Sequence, residues 1–301
     1  MIKRTVLALV ALALVTGGIL AWKYRWGTLE SVPGIELAEL PVPIMSYAEY
    51  QGTEHEEPYV VRLREGDGEL LYYGARHTQD PENPQVVEIQ RLWEEFDPTI
   101  ALAESRLGFF IGPLGPGVEQ FGEAGAVFAL ARRDDVPVYT LEAPLEMEMR
   151  EVLKRHPAER VALFYVLRGS IGRGSAEAVE SEAAQLVEKR TRWPGLEGSL
   201  RGVAHIDSIW ARDFPDLPDW RELPARYTWP GHHDTYLNEI STDVNQFRDR
   251  YMVALLTSLL ERGERTFAVV GSSHVVMQEP ALRAMTASSD MSGRARSLGR
   301  E

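Results

Sequence analysis

The sequence predicts an α/β domain: a mostly parallel sheet with helices on both faces and an inserted helical or irregular cap. Two observations carry this reading. Short apolar runs that suit strands alternate with stretches whose apolar residues recur at spacings of three and four, as on one face of a helix. Two of the strand-like runs also end alike, "LLYYGARH" and "TFAVVGSSH", each closing in Gly-x-x-His.

The chain opens with Lys3 and Arg4, then runs uncharged for 18 residues, Thr5–Trp22. At about 1.5 Å rise per residue, such a helix nearly crosses a hydrocarbon core of about 30 Å. Trp22, Tyr24 and Trp26 with Lys23 and Arg25 suit the membrane interface. Residues 1–26 are therefore expected to be an uncleaved N-terminal anchor, with a cleaved signal peptide and a secreted product as the alternative. Either way the body is expected outside the cytoplasm, periplasmic or extracellular. Residues 27–66 are rich in Pro, Glu and Gly and read as a linker or loosely packed lead-in.

The α/β domain is expected over 67–286. Leu70–Tyr73 reads as a strand, Pro84–Phe96 as a helix with Val86, Ile89, Trp93 and Phe96 on one face, and Thr99–Ala103 as a second strand. Glu104-Ser-Arg106 and a Gly/Pro-rich loop come next, then a helix over 120–133 and a third strand, Val136–Leu141, ending at Glu142. The cap is expected at about 145–235. Residues 145–192 read as helices broken at "GSIGRGS", and 193–235, with Trp193, Trp210, Trp220 and Trp229, as irregular. A long helix is expected from Thr242 to Arg262, a strand at Phe267–Val270 and a helix at Glu279–Met285. Residues 287–301 read as a small, polar, basic tail without fixed structure.

Composition narrows the chemistry. A formal net charge of −13 argues against a surface that holds nucleic-acid phosphates. The chain has no cysteine, which removes disulfides, thiolate metal sites, Fe–S clusters and a Cys nucleophile. The remaining chemistry is carried by strand ends. Ligands of open α/β sheets bind at the carboxyl ends of the strands. His77 and His274 are placed on that edge although 197 positions separate them, and Glu104 stands there after its own strand. Two imidazoles and a carboxylate suit a divalent metal such as Mn, Co or Zn. The same groups suit a metal-free base and nucleophile-activating pair.

On the long helix, Val244, Phe247, Tyr251, Met252, Leu255 and Leu259 share one broad face, with Arg248 near its middle and Asp249 on the flank. An arginine inside an apolar stripe points to a role in holding a carboxylate or stabilising an oxyanion. His232 and His233 in "WPGHHDTY", and His205 with Asp207, read more simply as polar loop residues; His55 and His156 show no pattern.

Taken together, the segments "GARH" (74–77), "LAESR" (102–106), "RDRYM" (248–252) and "GSSH" (271–274), with "GEAGAVFALA" (122–131), resemble the Tiki/TraB/erythromycin-esterase/ChaN superfamily. The resemblance covers roughly 68–142 and 240–286. It implies an α/β fold of two related halves with the site between them. Members include metal-dependent peptidases, esterases using a His/Glu pair, and haem-binding lipoproteins. It implies His77, Glu104 and His274 as metal-site residues, with Arg248, Asp249 and Arg106 as catalytic supports. The expected activity is a membrane-anchored, metal-dependent hydrolase of peptides or small molecules. The alternative is a haem- or small-ligand-binding protein without catalysis. "GARH" lacks the acidic residue of the G-E-x-H form that some esterase-like members carry, and Asp249 stands where many TraB-like members have Asn.

Overall fold

A computed structural model describes residues 25–26, 29–37, 39–104, 110–111 and 114–298. In chain order the elements are β1 (Arg25–Trp26), α1 (Tyr47–Gln51), β2 (Tyr59–Glu65), β3 (Gly68–Ala75), α2 (Pro84–Phe96), β4 (Ile100–Ala103), β5 (Phe110–Ile111), α3 (Leu114–Arg133), β6 (Val138–Thr140), α4 (Leu145–Val152), α5 (Ala158–Ser170), α6 (Ala176–Arg190), α7 (Val203–Asp213), α8 (Tyr236–Glu261), β7 (Arg265–Gly271) and α9 (Ser272–Leu298). The chain divides into two compact units. The first is Met1–Pro43, Glu54–Glu142 and Val253–Glu301; the second is Ile44–Thr53 and Ala143–Met252.

The first unit is the α/β body. Its sheet has the order β2-β3-β7-β4-β6. β3, β7, β4 and β6 run parallel, and only the edge strand β2 runs antiparallel, against β3. β3 and β7 are apolar and buried on both faces, as central parallel strands covered by helices must be. β2 alternates in exposure, as an edge strand does. On one face Leu71, Tyr73, Ala101, Ala103, Phe267 and Val269 pack with Ile89 and Trp93 of α2 and Val127 and Ala131 of α3. On the other, the Tyr72 hydroxyl donates to Gln278 of α9, 2.9 Å.

α2 spans the stretch that its sequence predicts. Asn83 caps it by accepting from the Gln85 N–H, Pro84 sits in the first turn where it loses no bond, and Asp97 ends it in a left-handed conformation before Pro98. The lead-in expected over 27–66 supplies β2, and Leu29, Val32 and Ile35 within it are buried. α9 starts at Ser272, directly after β7, seven residues before the helix expected at Glu279–Met285. Its backbone continues to Leu298, through most of the segment expected as an unstructured tail. Among the described residues no helix is long and apolar enough to cross a membrane. The run Thr5–Trp22 lies outside them.

The second unit is helical. Its core joins Met149, Phe164, Leu167, Leu186, Ile209, Trp210, Trp220, Leu237 and Val244. The stretch 193–235 is not irregular throughout: α7 begins after Gly202 and buries Ile206, Ile209 and Trp210. Its Trp and Pro neighbours hide that amphipathic pattern in the sequence.

One close approach lies at the carboxyl end of β3, beside β7. Gly74 pairs with Val270 and Ala75 with Gly271. A Cβ at Gly74 would stand 2.9 Å from both the Ser272 Cα and the Tyr59 carbonyl oxygen, backbone atoms that cannot turn aside. Gly74→Ala is therefore expected to cost about 1–3 kcal/mol, read as a lower denaturant midpoint at unchanged slope.

Candidate functional site

The chain passes from β3 through α2 to β4, and β7, the last strand in sequence, slots between them. Three neighbouring strands thus deliver His77, Glu104 and His274 to one edge. Each is held by local chemistry.

His77 comes two residues after β3. The amide of Gln85 clamps the chain just before it: its Oε1 accepts from the Arg76 N–H and its Nε2 donates to the Arg76 carbonyl, both 2.7 Å. The His77 Nδ1 stands 3.5 Å from Glu123 Oε2, with the histidine side chain 76% exposed and the glutamate 7%. Glu123 Oε1 accepts from the Thr78 N–H, 2.6 Å. This approach depends on Gly122, which takes φ +60°, a left-handed conformation, and where a Cβ would stand 2.9 Å from the Thr78 carbonyl.

Glu104 stands beside His274. Its Oε2 accepts from the Gly271 N–H at 3.0 Å, and its Oε1 stands 3.6 Å from His274 Nε2. His274 occupies the first turn of α9 and is 8% exposed. Gly271 admits the third partner. A Cβ there would meet His77 Nε2 at 3.0 Å and Glu104 Oε2 at 3.8 Å. The glycine of the second Gly-x-x-His motif thus makes room for the histidine of the first. The two motifs interlock around Gly271, and each imidazole has a carboxylate beside it.

That pairing sets the electrostatics. The Glu123 carboxylate against its ring raises the pKa of His77 above the usual histidine value; burial opposes the shift, and the charge of Glu104 adds to it. With Nδ1 directed at Glu123, Nε2 is the nitrogen left to exchange protons.

The donors expected to hold a divalent ion are therefore neighbours at one strand edge. His77 turns one nitrogen to Glu123, and among the described residues no three His, Asp or Glu side chains form a group that could hold a metal. The donor types suit a metal.

The remaining expected residues have the following local settings. Arg248 and Asp249 belong to the second unit, where both are buried, at 9% and 2% exposure. There the charge of Arg248 bears on the Tyr165 phenol, which donates to Glu148 at 2.5 Å. Arg106 lies outside the described residues. Glu142 is fixed through its backbone: its N–H donates to Thr140 Oγ1 and its carbonyl accepts from Ser31 Oγ. In the second unit, His156 pairs with Asp243 at 2.7 Å and His205 with Glu159 at 3.5 Å. His232 lies among the rings of Tyr47 and Trp229, and His233 stacks on Tyr227 at 3.9 Å. Burial, with the charges of Arg226 and His232, lowers the pKa of His233. Of the four tryptophans in 193–229, Trp210 and Trp220 are core residues and Trp229 is 46% exposed.

Sequence reasoning passed over two participants. Glu123 is the single acid in "GEAGAVFALA", and an acid inside an apolar helical stretch is the available signal. The second is Glu57, which accepts from Ser272 Oγ at 2.9 Å and stands 3.8 Å from His55 Nε2. It comes from the lead-in and carries no such signal.

No family model, curated protein or solved structure matches this chain. The superfamily resemblance therefore stands on its short segments alone.

One measurement isolates the central pair. In Glu123→Gln the carboxylate that favours the charged ring is gone, so the His77 pKa, monitored by NMR titration, is expected to fall. An unchanged value would separate Glu123 from His77.

Proposed function

We propose that this chain is a hydrolase of acyl compounds, peptide or ester, with its site at the carboxyl edge of β3, β7 and β4. The observation that carries the reading is the His77–Glu123 contact beside Glu104 and His274. A carboxylate on one imidazole nitrogen fixes the ring and its tautomer and strengthens the other nitrogen as a base. In this reading His77 Nε2 takes a proton from the attacking water as that water adds to the acyl carbonyl. His77 then returns the proton to the leaving alcohol or amine. The first-turn N–H groups of α9, at the positive end of the helix dipole, face developing negative charge on the carbonyl oxygen. Glu104 keeps His274 and the Gly271 N–H in place. The resemblance to the superfamily supports the same class of reaction.

His77→Ala is expected to lower kcat/KM on a hydrolysed ester or peptide by about 10²–10⁴-fold while leaving the fold intact by circular dichroism. Retention of full activity would remove His77 from the reaction. Because the base must be neutral, activity is expected to rise with pH through a value above the ordinary histidine pKa of about 6.5. In Glu123→Gln this limb should move to lower pH, since the imidazolium loses its partner.

A second reading keeps the divalent metal. It is favoured by the 3.6 Å between His274 Nε2 and Glu104 Oε1, near the separation of two donors that share one ion at about 2.1 Å each. Elemental analysis of natively purified protein separates the readings. About one Mn, Co or Zn per chain, lost in His274→Ala, would establish the metal. Full activity in metal-free protein would leave the His77–Glu123 base alone.

A further inference from the structure

We infer that this site is held at a membrane surface and that its substrate is an acyl compound resident in the bilayer interface, an ester or amide bearing an apolar chain. The inference rests on the hydrolase reading above and on the uncharged run Thr5–Trp22 as a membrane segment.

The residues after that run are bound to the edge of the sheet that carries the site. Arg25 pairs with Ile111 and Trp26 with Phe110, in the segment that leaves Glu104. Leu29 joins the apolar core beneath the sheet at 7% exposure. The Glu30 carbonyl accepts from the Thr140 N–H at 2.9 Å, Ser31 bridges Thr140 in parallel, and Ser31 Oγ donates to the Glu142 carbonyl at 3.3 Å. Thr140 is the register partner of Ala103, the residue before Glu104. Residues 30–31 thus extend the sheet beyond β6 at the end where His77, Glu104 and His274 stand.

Distances decide what this means. Eight residues separate Trp22 from Glu30, a reach of at most about 29 Å. Two strand spacings, about 10 Å, separate Glu30 from the end of β4. Glu104 therefore lies within about 40 Å of the end of the apolar run, and His77, two strands further on, within about 50 Å. Were the lead-in unattached until β2, the 37 residues from Trp22 to Tyr59 would allow about 130 Å. The attachment thus cuts the reach of the site to less than half of that. The net charge of −13 would repel the body from an anionic leaflet, so the short tether supplies the local concentration that electrostatics cannot. The stretch 108–115, "GFFIGPLG", carries no charge, and Trp26, the register partner of Phe110 within it, is a residue type of membrane interfaces.

The test uses the full chain in phosphatidylcholine vesicles. Its activity is read on p-nitrophenyl acetate in the water and p-nitrophenyl palmitate in the bilayer. A Gly/Ser linker of about 20 residues, inserted between Tyr24 and Arg25, lifts the body while leaving the pairing of Trp26 with Phe110 in place. The expected result is a fall of about fivefold or more on the palmitate ester with the acetate ester unchanged. An unchanged palmitate rate would overturn the inference, as would recovery of the chain as a soluble product cleaved after Trp22. A second readout does not depend on catalysis. The chain has no cysteine, so Arg76→Cys accepts a single dye next to His77. Energy transfer from that dye to a headgroup-labelled lipid should be strong in the parent and weaker with the linker. If neither ester is hydrolysed but transfer behaves so, the hydrolase reading fails and the membrane placement stands. If transfer is absent in the parent, the placement fails whatever the activity.

Discussion

At the carboxyl ends of the neighbouring parallel strands β3 and β7 stand two glycines where a Cβ would crowd its surroundings, backbone atoms at Gly74 and the His77 ring at Gly271. Gly74 lies against Ser272, and Gly271 lies against His77. The rest of the site is arranged around this contact. It sets Gly-x-x-His beside Gly-x-x-His, brings one imidazole over the other motif's glycine, and leaves the Gly271 N–H pointing at Glu104. In both motifs the glycine is a packing requirement, and the histidine three residues on gains its position from the neighbouring strand.

The second constraint is electrostatic. Glu123 is nearly buried, and a carboxylate withdrawn from water costs several kcal/mol unless its lone pairs are met. It is met by a backbone N–H of Thr78 and by the ring of His77. Glu104 repeats the pattern with the Gly271 N–H and His274. Glu123 is therefore met by one backbone donor and one imidazole. The charge state of His77 is coupled to the cost of keeping Glu123 out of water, which supports the proposed reading of this pair as a proton-handling one.

Much of this was legible in the sequence, for stated reasons. α2 could be bounded because Asn83-Pro84 and Asp97-Pro98 are chemical start and stop signals. The placement of His77, Glu104 and His274 on one edge came from apolar runs that suit only central parallel strands. The partners of those residues were hidden. Glu123 is 46 positions from His77 and reaches it only through the left-handed turn at Gly122. The start of α9 was obscured because Gly-Ser-Ser reads locally as a turn, whereas Ser272 enters the helix at once. β2 was lost in a polar lead-in because an edge strand needs only one apolar face.

The position of β7 also bears on how the molecule is made. Of the sheet strands it is the last to be synthesised, yet it lies between β3 and β4, which do not otherwise touch. Before Arg265–Gly271 arrives, the nascent sheet is two separate pieces, a hairpin of β2 and β3 and a pair of β4 and β6. Their joining waits on contacts between residues nearly 200 positions apart, the slow kind in folding. A chain emerging from a ribosome thus lacks a joined sheet for most of its synthesis. His77, Glu104 and His274 come to one edge in a single late event, when the final strand closes the gap.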